Sequence, residues 1–346
     1  MSLTTDREGP WLGLDVGGAN IKAAHESGPS LSIPFPLWRD PAGLPTVLGE
    51  LTRGLPPFSR IALTMTAELC DCYATKAEGV RDVVKAVLSV ANGRDVSVWG
   101  VDVDFHDVQA ILDRPDLAAA ANWLALAEVA ASLIPTSSGL LIDVGSTTTD
   151  LIPLADGRAR PRARSDTERL GTGELVYAGV RRTPLCALAT ELPYRGISTG
   201  LAAELFATTL DIYVTLGAIP PSATDLRTAD GRPATIEASR DRLARIIGAD
   251  RSVFTIGDAL SIAGAADEVL VARLVGAGRR AIGPTSVPPA TAVISGSGEF
   301  LARRVARILA PDAAILSLGD LWGVDDAEAA CARALVILAR RPRNPA

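Results

Sequence analysis

Two segments of this chain nearly repeat each other: Leu12-Gly-Leu-Asp15-Val-Gly-Gly-Ala-Asn20 and Leu140-Leu-Ile-Asp143-Val-Gly-Ser-Thr-Thr-Thr-Asp150. Asp15 and Asp143 stand 128 residues apart. Each segment reads as an apolar strand that ends in a carboxylate and then turns on glycine. A chain that makes this turn twice folds as two related halves, and each half opens on a loop able to receive an anion. Strands, a loop and helices recur after each copy. The pattern predicts an α/β protein of two duplicated domains facing each other over a central cleft.

Length and composition agree. The 346 residues suffice for two cores. Apolar residues make up 48% and charged residues 21%, as in a globular protein. A formal charge of −6 argues against general nucleic-acid binding. Cys70, Cys72, Cys186 and Cys331 match neither a disulfide framework nor a zinc site, so reduced thiols are expected. The longest apolar stretch, 117–134, is interrupted by Asn122 and Glu128 and reads as a buried helix, not a membrane span. The N-terminus lacks the basic-then-apolar pattern of a secretory signal, which makes the cytoplasm the expected compartment.

Periodicity and punctuation give the elements. In the first half, strands are predicted over 11–16, 20–24, 31–36, 60–66 and 96–101. Helices are predicted over 44–55, 80–91 and, as one long rod, 115–133. The second half restarts with strands over 139–143 and 149–154, a helical stretch over 199–216, and helices over 237–247, 253–264 and 266–282. A strand over 291–295, a helix over 300–309, a strand over 314–318 and a closing helix over 325–339 complete it. The domains are therefore expected at 1–135 and 139–320, with the C-terminal helix, 322–341, completing the first.

The chemistry is expected at the loops. Gly17 and Gly18 would let backbone N–H groups approach a phosphate, Asn20 would donate to it, and Lys22 would add charge. Asp15 and Asp143 suit Mg²⁺, directly or through water. Gly145, Ser146, Thr147 and Thr148 repeat the cradle with hydroxyl donors. A third glycine turn, Gly296-Ser297-Gly298, lies between a strand and a helix and suits an anion or an adenosine. The bland alternatives are a tight hairpin for the first loop and strand propensity for the threonine run.

These three elements, in this order, resemble the sugar kinase/Hsp70/actin superfamily. That resemblance implies actin/hexokinase-like (ribonuclease H-like) domains. Two further segments are more specific: Thr64-Met-Thr-Ala-Glu68-Leu-Cys-Asp71-Cys-Tyr73-Ala-Thr-Lys76-Ala-Glu78-Gly79 and Gly171-Thr-Gly173-Glu174-Leu-Val-Tyr177-Ala-Gly179-Val-Arg181-Arg182-Thr183-Pro184. With Gly17-Gly-Ala-Asn20 they look like the hydantoinase/oxoprolinase-related family linked to tetrahydromethanopterin and methanofuran metabolism. Within it they look like the branch that joins a furan unit to a tyramine or tyrosine unit.

The resemblance implies an alkyl transfer in the biosynthesis of a methanofuran-type cofactor. An aminomethylfuran bearing a CH₂–diphosphate meets the phenol of a γ-glutamyl-tyramine-type acceptor, and diphosphate leaves. Mg²⁺ is then the expected cofactor, with ATP expected only under the alternative below. A carboxylate must take the phenolic proton, and Glu68, Asp71 and Glu174 are the candidates. Lys76, Arg181 and Arg182 would bind diphosphate or the acceptor's carboxylates. The expected partners are small molecules, with neither nucleic acid nor membrane, and a homodimer is left open. Two other classes stay in play. One is an ATP-dependent kinase or oxoprolinase-like ATPase, which Ala19 in place of the usual Thr or Ser disfavours. The other is a non-catalytic, actin-like nucleotide switch.

Overall fold

In the computed structural model, which describes residues 9–283 and 287–341, the first half of the chain lays down β1 (Trp11–Val16), β2 (Asn20–His25), β3 (Ser30–Pro34), β4 (Arg60–Met65), β5 (Asp95–Trp99) and β6 (Phe105–Asp107). They form one sheet in the order β3-β2-β1-β4-β5-β6. β1 pairs antiparallel with β2 and parallel with β4, and β4 pairs parallel with β5. Every residue of β1 is buried, as expected of a central strand covered on both faces. The second half adds β7 (Gly139–Val144), β8 (Thr149–Ala155), β9 (Arg158–Ala159), β10 (Leu175–Val176), β11 (Glu191–Tyr194), β12 (Ile197–Gly200), β13 (Thr291–Ser295) and β14 (Ala314–Ser317). The second sheet runs β10-β8-β7-β13-β14, with β9 attached to β8.

Both sheets therefore place their first strand in the middle, the next two on one side and the last ones on the other. This is the duplicated, ribonuclease H-like order. The match extends to single residues. β7 is β1 displaced by 128 residues, and the turn that follows is closed by the same bond in each copy: Gly17 N–H to the Asn20 carbonyl at 3.0 Å, Gly145 N–H to the Thr148 carbonyl at 2.9 Å.

The chain divides into two compact units, Met1–Leu141 with Pro153–Asp166 and Leu316–Ala346 as one, and Ile142–Ile152 with Thr167–Ile315 as the other. In the first unit, the helix Ala330–Ala339 packs on β1 and on the helix Asn122–Ser132. Gly13 permits this, because a Cβ there would lie 2.1 Å from the Ala332 carbonyl oxygen. The Asn122 helix is buried from Trp123 to Ala131 and apolar apart from Glu128, which accounts for the apolar stretch as an interior helix. No helix among the described residues is long and apolar enough to cross one.

Several elements differ from the pattern-based expectation. The rod over 115–133 is broken into a 3₁₀ turn, Pro115–Leu117, and the Asn122 helix, with Ala120 at φ 50° between them. The stretch over 199–216 is not one helix. It holds the end of the β11–β12 hairpin and a short helix, Thr209–Thr215. Arg195 and Gly196 both have positive φ at the hairpin turn, the geometry that matches the twist of its strands. Conversely, the two helices over 253–264 and 266–282 are a single helix, Ile256–Ile282, opened by a Thr255/Asp258 capping box. Gly264 does not end it, since an isolated glycine costs a helix only about 1 kcal/mol. The closing helix is divided into Val324–Glu328 and Ala330–Ala339. β6 and the helix Val108–Asp113 were not expected.

Candidate functional site

In the first unit two buried carboxylates, Asp15 and Glu68, lie at the carboxyl ends of parallel strands, where open α/β sheets bind ligands. Asp15 is the penultimate residue of β1 and pairs in register with Thr64 of β4 and Lys22 of β2. These three therefore share one face of the sheet. Asp15 is buried, and burial pushes its carboxyl above the ordinary carboxylate range, against the pull of Lys22 and of the Asn122 amide. Asn122 Nδ2 stands 3.5 Å from Asp15 Oδ2. Asp15 Oδ1 and Thr64 Oγ1 are buried without a hydrogen-bond partner.

Glu68 follows β4 on a 3₁₀ turn, Ala67–Leu69, and is 1% exposed. Its Oε2 is also buried and unpartnered. Burial raises its pKa to about 7, offset in part by backbone N–H groups, including that of Ala120, and by Lys76, while Asp166 adds to the rise. Glu68 is held from behind by the first turn of the helix Lys76–Ala91. A Cβ on Gly79 would lie 2.6 Å from Glu68 Cα, so this position must be glycine. That helix is capped by Thr75, which accepts from Glu78 N–H, while Glu78 accepts from Ala74 N–H at 3.0 Å. Asp71 is exposed. Lys76 Nζ stands 3.7 Å from Asp166 Oδ2.

The first loop, Gly17–Asn20, is half-buried. Neither Gly17 nor Gly18 has positive φ. Their glycine character answers to space instead: a Cβ would lie 2.9 Å from the Asn20 carbonyl oxygen at Gly17, and 2.6 Å from Cys70 Sγ at Gly18.

In the second unit, Asp143 is half-buried at the end of β7 and Gly145, Ser146, Thr147 and Thr148 form the loop. The Gly171–Pro184 segment braces this loop. Arg181 and Arg182 N–H both bond the Ser146 carbonyl, and Val180 N–H bonds that of Gly145. A Cβ on Gly179 would fall 2.4 Å from the Gly145 carbonyl oxygen and 2.6 Å from Thr147 N. Thr149 is structural, its hydroxyl donating to the Ala178 carbonyl at 2.7 Å. The Arg181 guanidinium is paired with Asp225, and the Arg182 side chain is exposed. Glu174 is fully buried and accepts from the Thr172 hydroxyl at 2.9 Å. Gly296, at φ 90°, lets the third turn close on β7. A Cβ there would lie 2.4 Å from the Val144 carbonyl oxygen and 2.7 Å from Asp143 Oδ1. Gly298 N–H bonds the Val144 carbonyl, and Ser297 is exposed. The third turn thus seats Asp143.

Sequence reasoning overlooked Asn122, Ala120 and Asp166. Asn122 had a signal, as a polar residue interrupting an apolar run. Ala120 had none, because its role lies in a backbone N–H.

The oxygens left at the first site suit a hard cation. No cluster of three or more His, Cys, Asp or Glu side chains that could hold a metal occurs among the described residues. Mg²⁺ commonly uses only one or two carboxylates, with water and substrate phosphates completing its shell. The unpartnered Asp15 Oδ1 fits that requirement.

The family model of hydantoinase/oxoprolinase matches residues 60–316. A protein of Methanocaldococcus jannaschii, the (4-{4-[2-(gamma-L-glutamylamino)ethyl]phenoxymethyl}furan-2-yl)methanamine synthase, is 37% identical over 245 residues, 70% of this chain and 72% of that protein. The synthase of the same name from Methanococcus vannielii is 36% identical over 124 residues, 36% of this chain and 55% of that protein. Among solved structures, the nucleotide-free acetone carboxylase is 15% identical with a TM-score of 0.48. That alignment covers 87% of this chain but 46% of the carboxylase chain, so this chain spans about half its length.

Proposed function

The chain belongs to the hydantoinase/oxoprolinase family, and from that premise we propose that it is a transferase which joins a furan-methyl diphosphate to a phenol. The name of the 37%-identical relative describes an aryl ether on a furan CH₂ with a γ-glutamylaminoethyl arm. Making that ether from a phenol requires a leaving group on the furan CH₂. Diphosphate is the group that two anion-binding loops suit. The acceptor is a tyramine-type phenol, and the product belongs to a methanofuran-type cofactor.

The observation that carries the mechanism is Glu68: a carboxyl enclosed in the fold, with one oxygen unpartnered and a pKa near 7. A base poised near neutrality is matched to removing a proton from a phenol of pKa about 10 as its oxygen becomes bonded. In the proposed step the phenol oxygen bonds to the furan CH₂ carbon. Its proton passes to Glu68. The bond from that carbon to the diphosphate oxygen breaks, and diphosphate departs with the electron pair. Gly17, Gly18 and Asn20 of the first loop, and Ser146, Thr147 and Thr148 of the second, bind diphosphate oxygens where charge develops. Asp15 and Asp143 are the proposed holders of Mg²⁺, which when bound would neutralise charge on the leaving group. Asp15 is supported by its unpartnered oxygen, and Asp143 by its matching place in the repeat. Arg182, exposed beside the second loop, is assigned to anionic groups, while Arg181 holds Asp225. Glu174 and Asp71 take no part in proton transfer in this reading. The first is satisfied by Thr172, and the second stands in water.

The test is direct. The protein is incubated with Mg²⁺, an aminomethylfuran-methyl diphosphate and γ-glutamyltyramine or tyramine, and diphosphate and ether are measured. A parallel reaction contains Mg²⁺ and ATP with the same acceptors. Diphosphate and ether in the first alone support the proposal. ADP formation without ether would replace it with the ATP-dependent reading, and nucleotide-dependent assembly without turnover with the switch.

A further inference from the structure

Glu68 has two charged neighbours, Lys76 and Asp166, which pull its proton in opposite directions. Lys76 is fixed close to Glu68 by covalent and packing constraints. It is the first residue of a capped helix whose first turn, through Gly79, presses on the Glu68 backbone. An ammonium in that place favours the ionised carboxylate. It is also paired with Asp166, at the start of the helix Asp166–Thr172, with Nζ to Oδ2 at 3.7 Å.

We propose that Asp166 is a positioning residue for Glu68: by holding Lys76 aside, it keeps Glu68 able to accept and retain the phenolic proton. This rests on the assignment of Glu68 as the base. Asp166 touches no reacting atom in this account. It acts through the lysine and through its own negative charge. Among the described residues, Lys76 and Asp166 are the charged groups that act on the Glu68 proton. The Ala120 N–H adds a neutral donor from the segment ahead of the Asn122 helix. Asp166 is 19% exposed and Lys76 38%, so their influence on the enclosed carboxyl is only partly screened by water.

The two neighbours make opposite demands on the pH profile. Removing the negative charge in Asp166→Asn should move the acid limb of kcat/KM to lower pH by about one unit, as expected for a nearby charge. Plateau turnover should fall, since the base becomes weaker. Removing the positive charge in Lys76→Met should move the limb to higher pH, and the double variant should lie between them. A merely structural role for Asp166 would not produce shifts of opposite sign. An unmoved limb in Asp166→Asn, or both single variants moving it the same way, would overturn the proposal. Carboxyl-carbon NMR titration of Glu68 in the full-length protein, with and without Asp166→Asn, reads the same quantity without turnover. An inactive Glu68→Gln with an unchanged Glu68 titration in Asp166→Asn defeats this inference alone. A fully active Glu68→Gln defeats the base assignment on which it stands.

Discussion

Glu68→Gln should make the protein inactive and, above neutral pH, more stable. Glu68 is enclosed, and burial holds its pKa at about 7 against an ordinary 4.5. The folded state therefore binds the Glu68 proton more tightly than the unfolded chain does. The stability this gives is complete below pH 4.5 and is lost as the pH rises through 7. At about 1.36 kcal/mol per pH unit, the gap between 4.5 and about 7 corresponds to about 3 kcal/mol. Glutamine fills nearly the same space and never ionises, so it escapes that loss. Urea unfolding of wild type and Glu68→Gln between pH 4 and pH 8.5 measures the difference. The two proteins should have similar stability at the acid end. The variant should gain progressively between pH 4.5 and 7, by up to about 3 kcal/mol, and hold a constant lead above. A difference that does not change with pH would refute the reasoning, because it would mean that the carboxyl ionises as freely folded as unfolded. The same variant should lose ether formation by two to four orders of magnitude, the usual range for a general base. Greater stability with lost turnover is the expected signature of a strained functional group.

Other perturbations probe other parts. Asp143→Asn should abolish Mg²⁺-dependent turnover while circular dichroism stays native, and full activity would remove Asp143 from the mechanism. Gly179→Ala should displace the second loop, since its Cβ would fall 2.4 Å from the Gly145 carbonyl oxygen. It should cost about 1–3 kcal/mol in unfolding experiments and weaken diphosphate binding as measured by calorimetry. Arg242→Met should destabilise by about 3–5 kcal/mol, because Asp211, with which Arg242 is wholly buried, would lose its guanidinium partner and keep only neutral donors such as the Thr208 N–H. A midpoint unchanged in urea would show that this pair is dispensable.

The duplication was legible in the sequence because it is written in local chemistry. An apolar strand ending in Asp and turning on glycine forms the same hairpin in both copies, down to the matching Gly17–Asn20 and Gly145–Thr148 bonds. The family segments were legible for the same reason, though the Gly171–Pro184 residues brace a loop more than they line a site. The break at Ala120, the Arg195–Gly196 turn and the unbroken Ile256–Ile282 helix were not legible. In each, packing overrode the single-residue signals of alanine, arginine and glycine.

For the site, the sequence by itself supplied a shortlist of carboxylates, Asp15, Asp143, Glu68, Asp71 and Glu174, but could not rank them. All carry the same functional group. What separates them is solvent exposure and partners, which depend on residues far along the chain. Folding enclosed Glu68 between its own turn, the Gly79 helix and the Ala120 segment. It gave Glu174 a hydroxyl partner and left Asp71 in water. A proton is held or released according to the surrounding dielectric and nearby charge, so sequence named the candidate acids and bases, and tertiary structure decided which of them is enclosed, which is paired and which stands in water.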